Sequence, residues 1–265
     1  MKQEKILSII TISKNNRNGL LKTIKSIANQ SYKDFEYIVI DGNSTDGSLE
    51  IIIENESCID YWVSEADSGI YPAMNKGIKK SKGKYLLFLN SGDTFLSSSS
   101  VKEIIESSLS ADIICWDAIS NNEVKPIFFS APTTITFSIF WYASICHQST
   151  LIKRQLFNEV GFYNESLKLA GDWEFFVRAF FLHRATYSYN KATLSVIEEG
   201  GVSSTMYRIT QVERKQVYTK NFPYFIKDYE ELNIMRKSRI FRIAYFLRKI
   251  SQALMQISQN LKFKV

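Results

Sequence analysis

Lys84-Tyr-Leu-Leu-Phe-Leu-Asn-Ser-Gly-Asp93 is the stretch that decides the fold. Residues 84–89 carry five apolar or aromatic side chains in succession and are stopped at once by Asn-Ser-Gly-Asp. A run that short, bounded by turn residues, reads as a strand rather than a helix. Its apolar residues do not alternate with polar ones, so both faces are covered, as in a parallel sheet flanked by helices. Ligands of such sheets bind at the carboxyl ends of the strands, and here that end is a polar turn finishing in a carboxylate.

Outward from this strand the same pattern repeats. Residues 6–12 (ILSIITI) and 35–40 (FEYIVI) read as further buried strands, the second ending at Asp41. Residues 61–64 and 112–116 read as shorter ones. Between them, helical spacing predicts helices over 18–30 with Asn18 as cap, over 48–56 with Asp46 as cap, over 70–81 and over 101–109. Strands and helices alternating every 25 residues or so imply a mostly parallel sheet with helices on both faces. The second half is less regular. Residues 126–150 show no period, 151–160 and 173–182 read as helices, 197–205 as a Gly/Ser loop and 206–221 as a helix.

Composition sets limits. Apolar residues make up 45% of 265, enough for a full core, and 4 prolines with 11 glycines exclude a collagenous or disordered chain. Cys58, Cys115 and Cys146 lack zinc spacing and read as free thiols. The apolar run near the N-terminus is too short for a signal peptide, and no stretch reaches the roughly 20 apolar residues that span a bilayer. The net charge of +6 is unevenly spread: residues 234–265 hold eight Lys/Arg and no acid, so 25 of the basic residues and all 27 acidic ones lie before them. Over the same tail Ile240, Ile243, Leu247, Ile250, Leu254, Ile257 and Leu261 form a seam spaced 3,4,3,4,3,4. Such a helix lies on an anionic membrane surface, pairs with a second copy to make a homodimer, or packs on the main domain. Phe241, Tyr245 and Phe246 widen the apolar face and favour the membrane. Nothing else forms a basic aromatic platform, which argues against nucleic acid.

Three acidic positions stand out. Asp41, in VIDGNSTDG, could accept hydrogen bonds from a base or ribose, although the local pattern alone reads more readily as a turn selected for backbone geometry. Asp93 offers a hard oxygen ligand to Mg²⁺ or Mn²⁺, or simply closes a turn. Asp172, in Ala170-Gly-Asp-Trp-Glu174, either caps a helix or acts as a base, and in a closing cleft its pKa is expected to be raised.

The ordered set VIDGNSTDG, SEADSGIYPAMNKGI, GKYLLFLNSGD and GDWEF resembles family 2 glycosyltransferases of the GT-A fold over about residues 5–220, in particular enzymes of bacterial capsule, O-antigen and exopolysaccharide biosynthesis. The resemblance implies an inverting transferase that uses a nucleotide-sugar donor, a saccharide or lipid-linked acceptor and a divalent metal. It implies donor contacts from Thr11, Ser13, Asp41, Asp67, Asn75, Lys76, Asn90, Ser91 and Gly92, the metal at Asp93 and a general base at Asp172. His147, Trp173, Gly201 and Ser203 become candidates for phosphate or acceptor contact, with His147 equally readable as structural. The chain departs from the family where Asp-x-Asp-Asp becomes Asn90-Ser-Gly-Asp93 and where Met74 replaces a frequent arginine, for which Lys76 is the substitute. The implied organisation is a catalytic domain over 1–222, with a donor half (1–117) and an acceptor half (118–222), then a tail over 223–265. The implied location is cytoplasmic, peripheral on the inner face of the plasma membrane. A non-catalytic carbohydrate-binding or scaffold protein and a sugar nucleotidyltransferase are the alternatives; no Gly-rich phosphate loop or G-x-G-x-x-G follows the first strand.

Overall fold

The computed structural model describes residues 5–122, 124–200, 206–241, 243–248 and 250–251. Gly201 and Ser203, and the seam residues Leu254, Ile257 and Leu261, lie outside them. The chain divides into two compact units, Met1–Arg214 and Lys215–Val265.

The first unit is α/β. Among the described residues, one mixed sheet runs in the order β3-β2-β1-β4-β8-β6-β9-β5, with β7 paired to β6. The strands are β1 (Leu7–Ser13), β2 (Glu36–Asp41), β3 (Tyr61–Ser64), β4 (Tyr85–Phe88), β5 (Thr94–Phe95), β6 (Ile113–Ser120), β7 (Phe128–Phe129), β8 (Thr150–Lys153) and β9 (Tyr187–Ile197). β1 pairs in parallel with both β2 and β4, and β2 with β3. This half is the mostly parallel sheet that the apolar runs predict. Leu7, Ile9 and Ile10 of β1 are fully buried, and each contributes about 1.5–3 kcal/mol by leaving water.

Helices cover both faces. α1 (Arg17–Ala28), α2 (Ser48–Glu54) and α4 (Ser100–Glu106) place Leu20, Ile24, Ile51, Ile52, Val101 and Ile104 in one core with Leu7, Ile9, Tyr37 and Val39. α3 (Ile70–Lys80) lies on the opposite face, where Gly77 approaches Ile10 so closely that a Cβ would stand 2.5 Å from its Cγ2. α1 starts two residues earlier than expected, because Asn16, not Asn18, is the cap and accepts from the Gly19 N–H. Gly47 caps α2, while Asp46 accepts from Ser48 N–H and Arg17 N–H and so ties the starts of α1 and α2 together.

The second half of the sheet departs further from the sequence reading. The segment expected to be a helix over 151–160 opens instead with β8, set antiparallel between β4 and β6, and only then turns into α6 (Arg154–Val160). Leu151 and Ile152 are fully buried in mid-sheet, and a two-residue apolar pair fits either period. β9, parallel to β6, was not foreseen. α5 (Phe137–Tyr142) and a 3₁₀ turn, His147–Ser149, precede β8. α7 (Gly171–Val177) runs on into a π-helical turn, Arg178–Leu182. α8 (Tyr207–Asn221) bridges the two units in sequence, and α9 (Pro223–Lys237) follows. Among the described residues no helix is long and apolar enough to cross a membrane.

Candidate active site

The carboxyl ends of β1, β2 and β4 lie side by side, Ser13 standing opposite Asp41 in the ladder and Ser91 N–H donating to Ile12 O. Asp41 is fully buried; Oδ1 accepts from Ser44 Oγ at 2.5 Å, and Oδ2 from Ser44 N–H at 2.9 Å and Ser64 Oγ at 2.6 Å. Ser13 Oγ, buried at the same strand tip, has no hydrogen-bond partner. Thr11, two residues earlier on the same strand, is fully buried, donates to Leu89 O and accepts from Tyr37 OH, so its hydroxyl is engaged within the sheet.

The Asn90-Ser-Gly-Asp93 turn is fixed from behind. Gly92 adopts φ +104°, its N–H donates to Thr23 Oγ1, and the same hydroxyl donates to Asp93 O. Asn16 Nδ2 reaches Ser91 O at 3.2 Å. The turn thus delivers Asp93 inward, 5% exposed, with Oδ1 accepting from Glu198 N–H at 3.0 Å. Burial pushes its carboxyl up to about 6, against the pull of Glu198 N–H, His147 and Gln148. Beside it Asn90 Oδ1 is buried without a partner.

His147, on the 3₁₀ turn before β8, connects this turn to Asp172. Its Nε2 lies 3.2 Å from Asn90 Nδ2 and its Nδ1 3.0 Å from Asp172 Oδ2, with the two side chains 18% and 20% exposed. Tyr71 OH donates to the other oxygen, Asp172 Oδ1, at 3.1 Å. Burial alone would raise the Asp172 pKa. The hydrogen bond and charge of His147, the Trp173 N–H and the Tyr71 hydroxyl outweigh it and hold the carboxyl below its ordinary value. The raised value expected of an acid in a cleft is therefore overturned, because a histidine 25 positions away supplies an opposing dipole or charge. Burial lowers His147, yet Asp172 and Asp93 together hold it above its usual range.

Other expected site residues are accounted for as follows. Lys76 is ion-paired to Asp67, and to Glu65 at 2.8 Å; burial pulls the ammonium down, but these two acids hold it above its ordinary value. Asn75 is 2% exposed and wholly engaged with the loop before α7, donating to Tyr163 O and Glu165 Oε1 and accepting from Tyr163 N–H. Trp173, 1% exposed with its indole N–H on Phe140 O, is a core residue and not a surface for acceptor or phosphate. Tyr71, Glu198 and Gln148 were missed; Tyr71 was visible only as the aromatic of Gly69-Ile-Tyr71.

Among the described residues no three His, Cys, Asp or Glu side chains are grouped to hold a metal. The oxygens that are present, a buried carboxylate at Asp93 and the unpartnered Asn90 Oδ1, are of the hard type that Mg²⁺ and Mn²⁺ take. A substrate diphosphate would have to complete the shell.

Comparison with known proteins identifies the family and the fold. The family model described as glycosyl transferase family 2 matches residues 8–160. A "PGL/p-HBAD biosynthesis glycosyltransferase" of Mycobacterium bovis (strain BCG / Pasteur 1173P2) is 30% identical over 76% of this chain and 80% of its own length. Staphylococcus aureus TarS 1-349 in complex with UDP-GlcNAc superposes with a TM-score of 0.63 at 18% identity, covering 81% of this chain and 66% of that one. Against the longer TarS chain the coverage of that protein is 42%. Glucosyl-3-phosphoglycerate synthase from Mycobacterium tuberculosis, in complex with Mn²⁺, UDP and glucosyl-3-phosphoglycerate, gives a TM-score of 0.59 at 12% identity over 82% of this chain and 79% of its own. With the family model spanning more than half its length, the chain belongs to glycosyl transferase family 2 and is a glycosyltransferase.

Proposed function

We propose that the chain transfers a sugar, with inversion, from a nucleotide diphosphate sugar to a hydroxyl of a saccharide or lipid-linked saccharide acceptor in cell-surface polysaccharide biosynthesis. The observation that carries this reading is the Asp172 carboxylate, held at both oxygens and joined through His147 to the strand-tip turn that bears Asp93. Held below its ordinary pKa by His147 and Tyr71, Asp172 is unprotonated at neutral pH but a weak base, so its part in the reaction rests on its position at the acceptor hydroxyl. It takes the proton from that hydroxyl. The acceptor oxygen bonds to the anomeric carbon from the opposite side, and the electron pair of the breaking C–O bond leaves on the diphosphate.

On the donor side, Ser13 Oγ and the Asp41–Ser44–Ser64 group would take the nucleoside, and Lys76 would take the diphosphate. Asp93 and Asn90 Oδ1 would hold a divalent cation, which would neutralise charge on the departing diphosphate. The complexes of TarS with UDP-GlcNAc and of glucosyl-3-phosphoglycerate synthase with Mn²⁺ and UDP support this donor class. The basic apolar tail brings the enzyme to the inner face of the membrane, where a lipid-linked acceptor resides.

A thermal-shift screen of UDP, GDP and dTDP sugars with Mn²⁺ identifies the donor, since a ligand that binds only the native state raises its stability. With that donor, Asp172→Asn loses transfer by about 10²–10⁴-fold while nucleotide binding stays near wild type. Full turnover in that variant removes Asp172 from the role.

A further inference from the structure

Tyr71 belongs to the segment Gly69-Ile-Tyr-Pro-Ala-Met-Asn-Lys76 and holds Asp172 without itself touching a reacting atom. It is the second residue of α3, it is 3% exposed, and its hydroxyl ends on Asp172 Oδ1 at 3.1 Å. The ring lies flat against the backbone just ahead of that carboxylate: a Cβ at Gly171 would stand 2.7–2.8 Å from three of its ring carbons. The Tyr71 ring thus leaves room for no side chain larger than glycine at 171. One turn further along α3, on the same face, Asn75 grips the backbone of Tyr163 and the side chain of Glu165. The Tyr71 and Tyr163 rings meet at 5.7 Å between centroids. One helix therefore clamps the 163–172 segment at two points, and the second clamp is on the reacting carboxylate.

We propose that Tyr71 is a positioning residue for the transfer reaction, aiming the Asp172 carboxylate at the acceptor through a hydroxyl delivered by the start of α3. A carboxylate at the head of a helix rotates about its side-chain bonds unless both oxygens are engaged. His147 Nδ1 engages Oδ2 from one side and Tyr71 engages Oδ1 from the other. Burial and the neighbouring Asp172 charge keep the phenol itself from ionising, so it remains a donor throughout the working pH range. The groups facing Asp172 are Tyr71 from α3, His147 from the 3₁₀ turn, Trp173 N–H from α7 and Tyr163 from the preceding loop, with Asp93 behind His147.

The inference rests on Asp172 being the base, and the test separates the two. Purified full-length wild type, Tyr71→Phe and Asp172→Asn are compared by carboxyl-carbon NMR titration, with Asp172→Asn assigning the resonance. They are also compared in hydrolysis of the donor chosen by the thermal screen, with Mn²⁺. In Tyr71→Phe, Asp172 becomes a weaker acid by about tenfold. The acidic limb of the kcat profile moves up with it, kcat falls by roughly tenfold, and donor KM stays within about twofold. Should Tyr71→Phe not fold, 3,5-difluorotyrosine at 71 keeps the ring and strengthens the donor, and Asp172 titrates at lower pH. An Asp172 titration and kcat profile unchanged by either substitution overturn the positioning role. Full turnover in Asp172→Asn instead overturns the base assignment and leaves the titration result standing as a contact without a catalytic use.

Discussion

A carboxylate that is 5% exposed and pushed up to about 6 is a burden on a folded protein unless something offsets its charge. An unfolded aspartate titrates near ~3.9, so native Asp93 binds its proton more tightly than the unfolded chain does. The folded state then loses stability as pH rises from about 4 through about 6, by on the order of 3 kcal/mol. In metal-free protein, Asp93→Asn is expected to melt higher than wild type at pH 7, with the gap closing by pH 4. The same variant loses the rise in melting temperature that Mn²⁺ with nucleotide confers on wild type. Denaturation curves at the two pH values, with and without Mn²⁺ and nucleotide, check both halves. A wild type as stable as the variant at pH 7 without metal would show that Asp93 is not strained. At this scale the sequence revealed which acids sit at strand tips and a helix start, since Asp41, Asp93 and Asp172 announce themselves by local pattern. It could not reveal what surrounds them. The groups that set Asp172 lie 101 and 25 positions away, at Tyr71 and His147, and only the folded chain brings them within 3.1 Å. Hence the sign of its pKa was misjudged while its place was not.

Elements in the first half were legible because each had one period and one job: β1, β2 and β4 are continuous apolar runs and α3 is a regular amphipath. β8 and β9 were not, for different reasons. β8 is four residues long and merges without a break into α6. β9 is eleven residues long, but only Leu194 and Ser195 are buried, so its sequence carries little of the apolar signal by which strands are found. Its position depends on polar pins. Asp112, just before β6, accepts from Thr186 N–H and Oγ1 at the start of β9 and from Lys153 Nζ at the end of β8. Partial burial would raise this acid, but Thr186 and Lys153 together hold it below its ordinary value. A depressed native pKa means stabilisation that is present above the unfolded value of ~3.9 and lost as pH falls through the native one. Asp112→Asn is therefore expected to cost about 1–3 kcal/mol at pH 6–8, with the difference from wild type shrinking below about pH 4. Urea denaturation across that range reads it, and a gap that persists undiminished in acid would assign the loss to packing rather than to charge.

For the molecule as a whole, charge and chain organisation point the same way. The acidic residues all lie before 234, and the 32 residues that follow carry eight Lys/Arg. Within the second unit the described part of the apolar seam, Ile240, Ile243, Leu247 and Ile250, is exposed, as are Tyr245 and Phe246. Apolar area of this kind beside an excess of Lys/Arg in the sequence matches an anionic lipid surface, where each Lys/Arg contributes about 1 kcal/mol and the apolar face adds its own burial. A strict two-helix seam would not need the added aromatics. The expectation is that full-length protein sediments with vesicles containing anionic phospholipid and that deletion of 234–265 abolishes this. Binding should also weaken steeply between low and physiological salt, because the charge component is screened. The truncated chain keeps donor binding and donor hydrolysis, since every residue assigned to the site lies within the first unit, while transfer to a lipid-linked acceptor in vesicles falls. Unchanged sedimentation after deletion rules out the membrane role. A fall from dimer to monomer on gel filtration, with vesicle binding absent in both forms, transfers the seam to self-association.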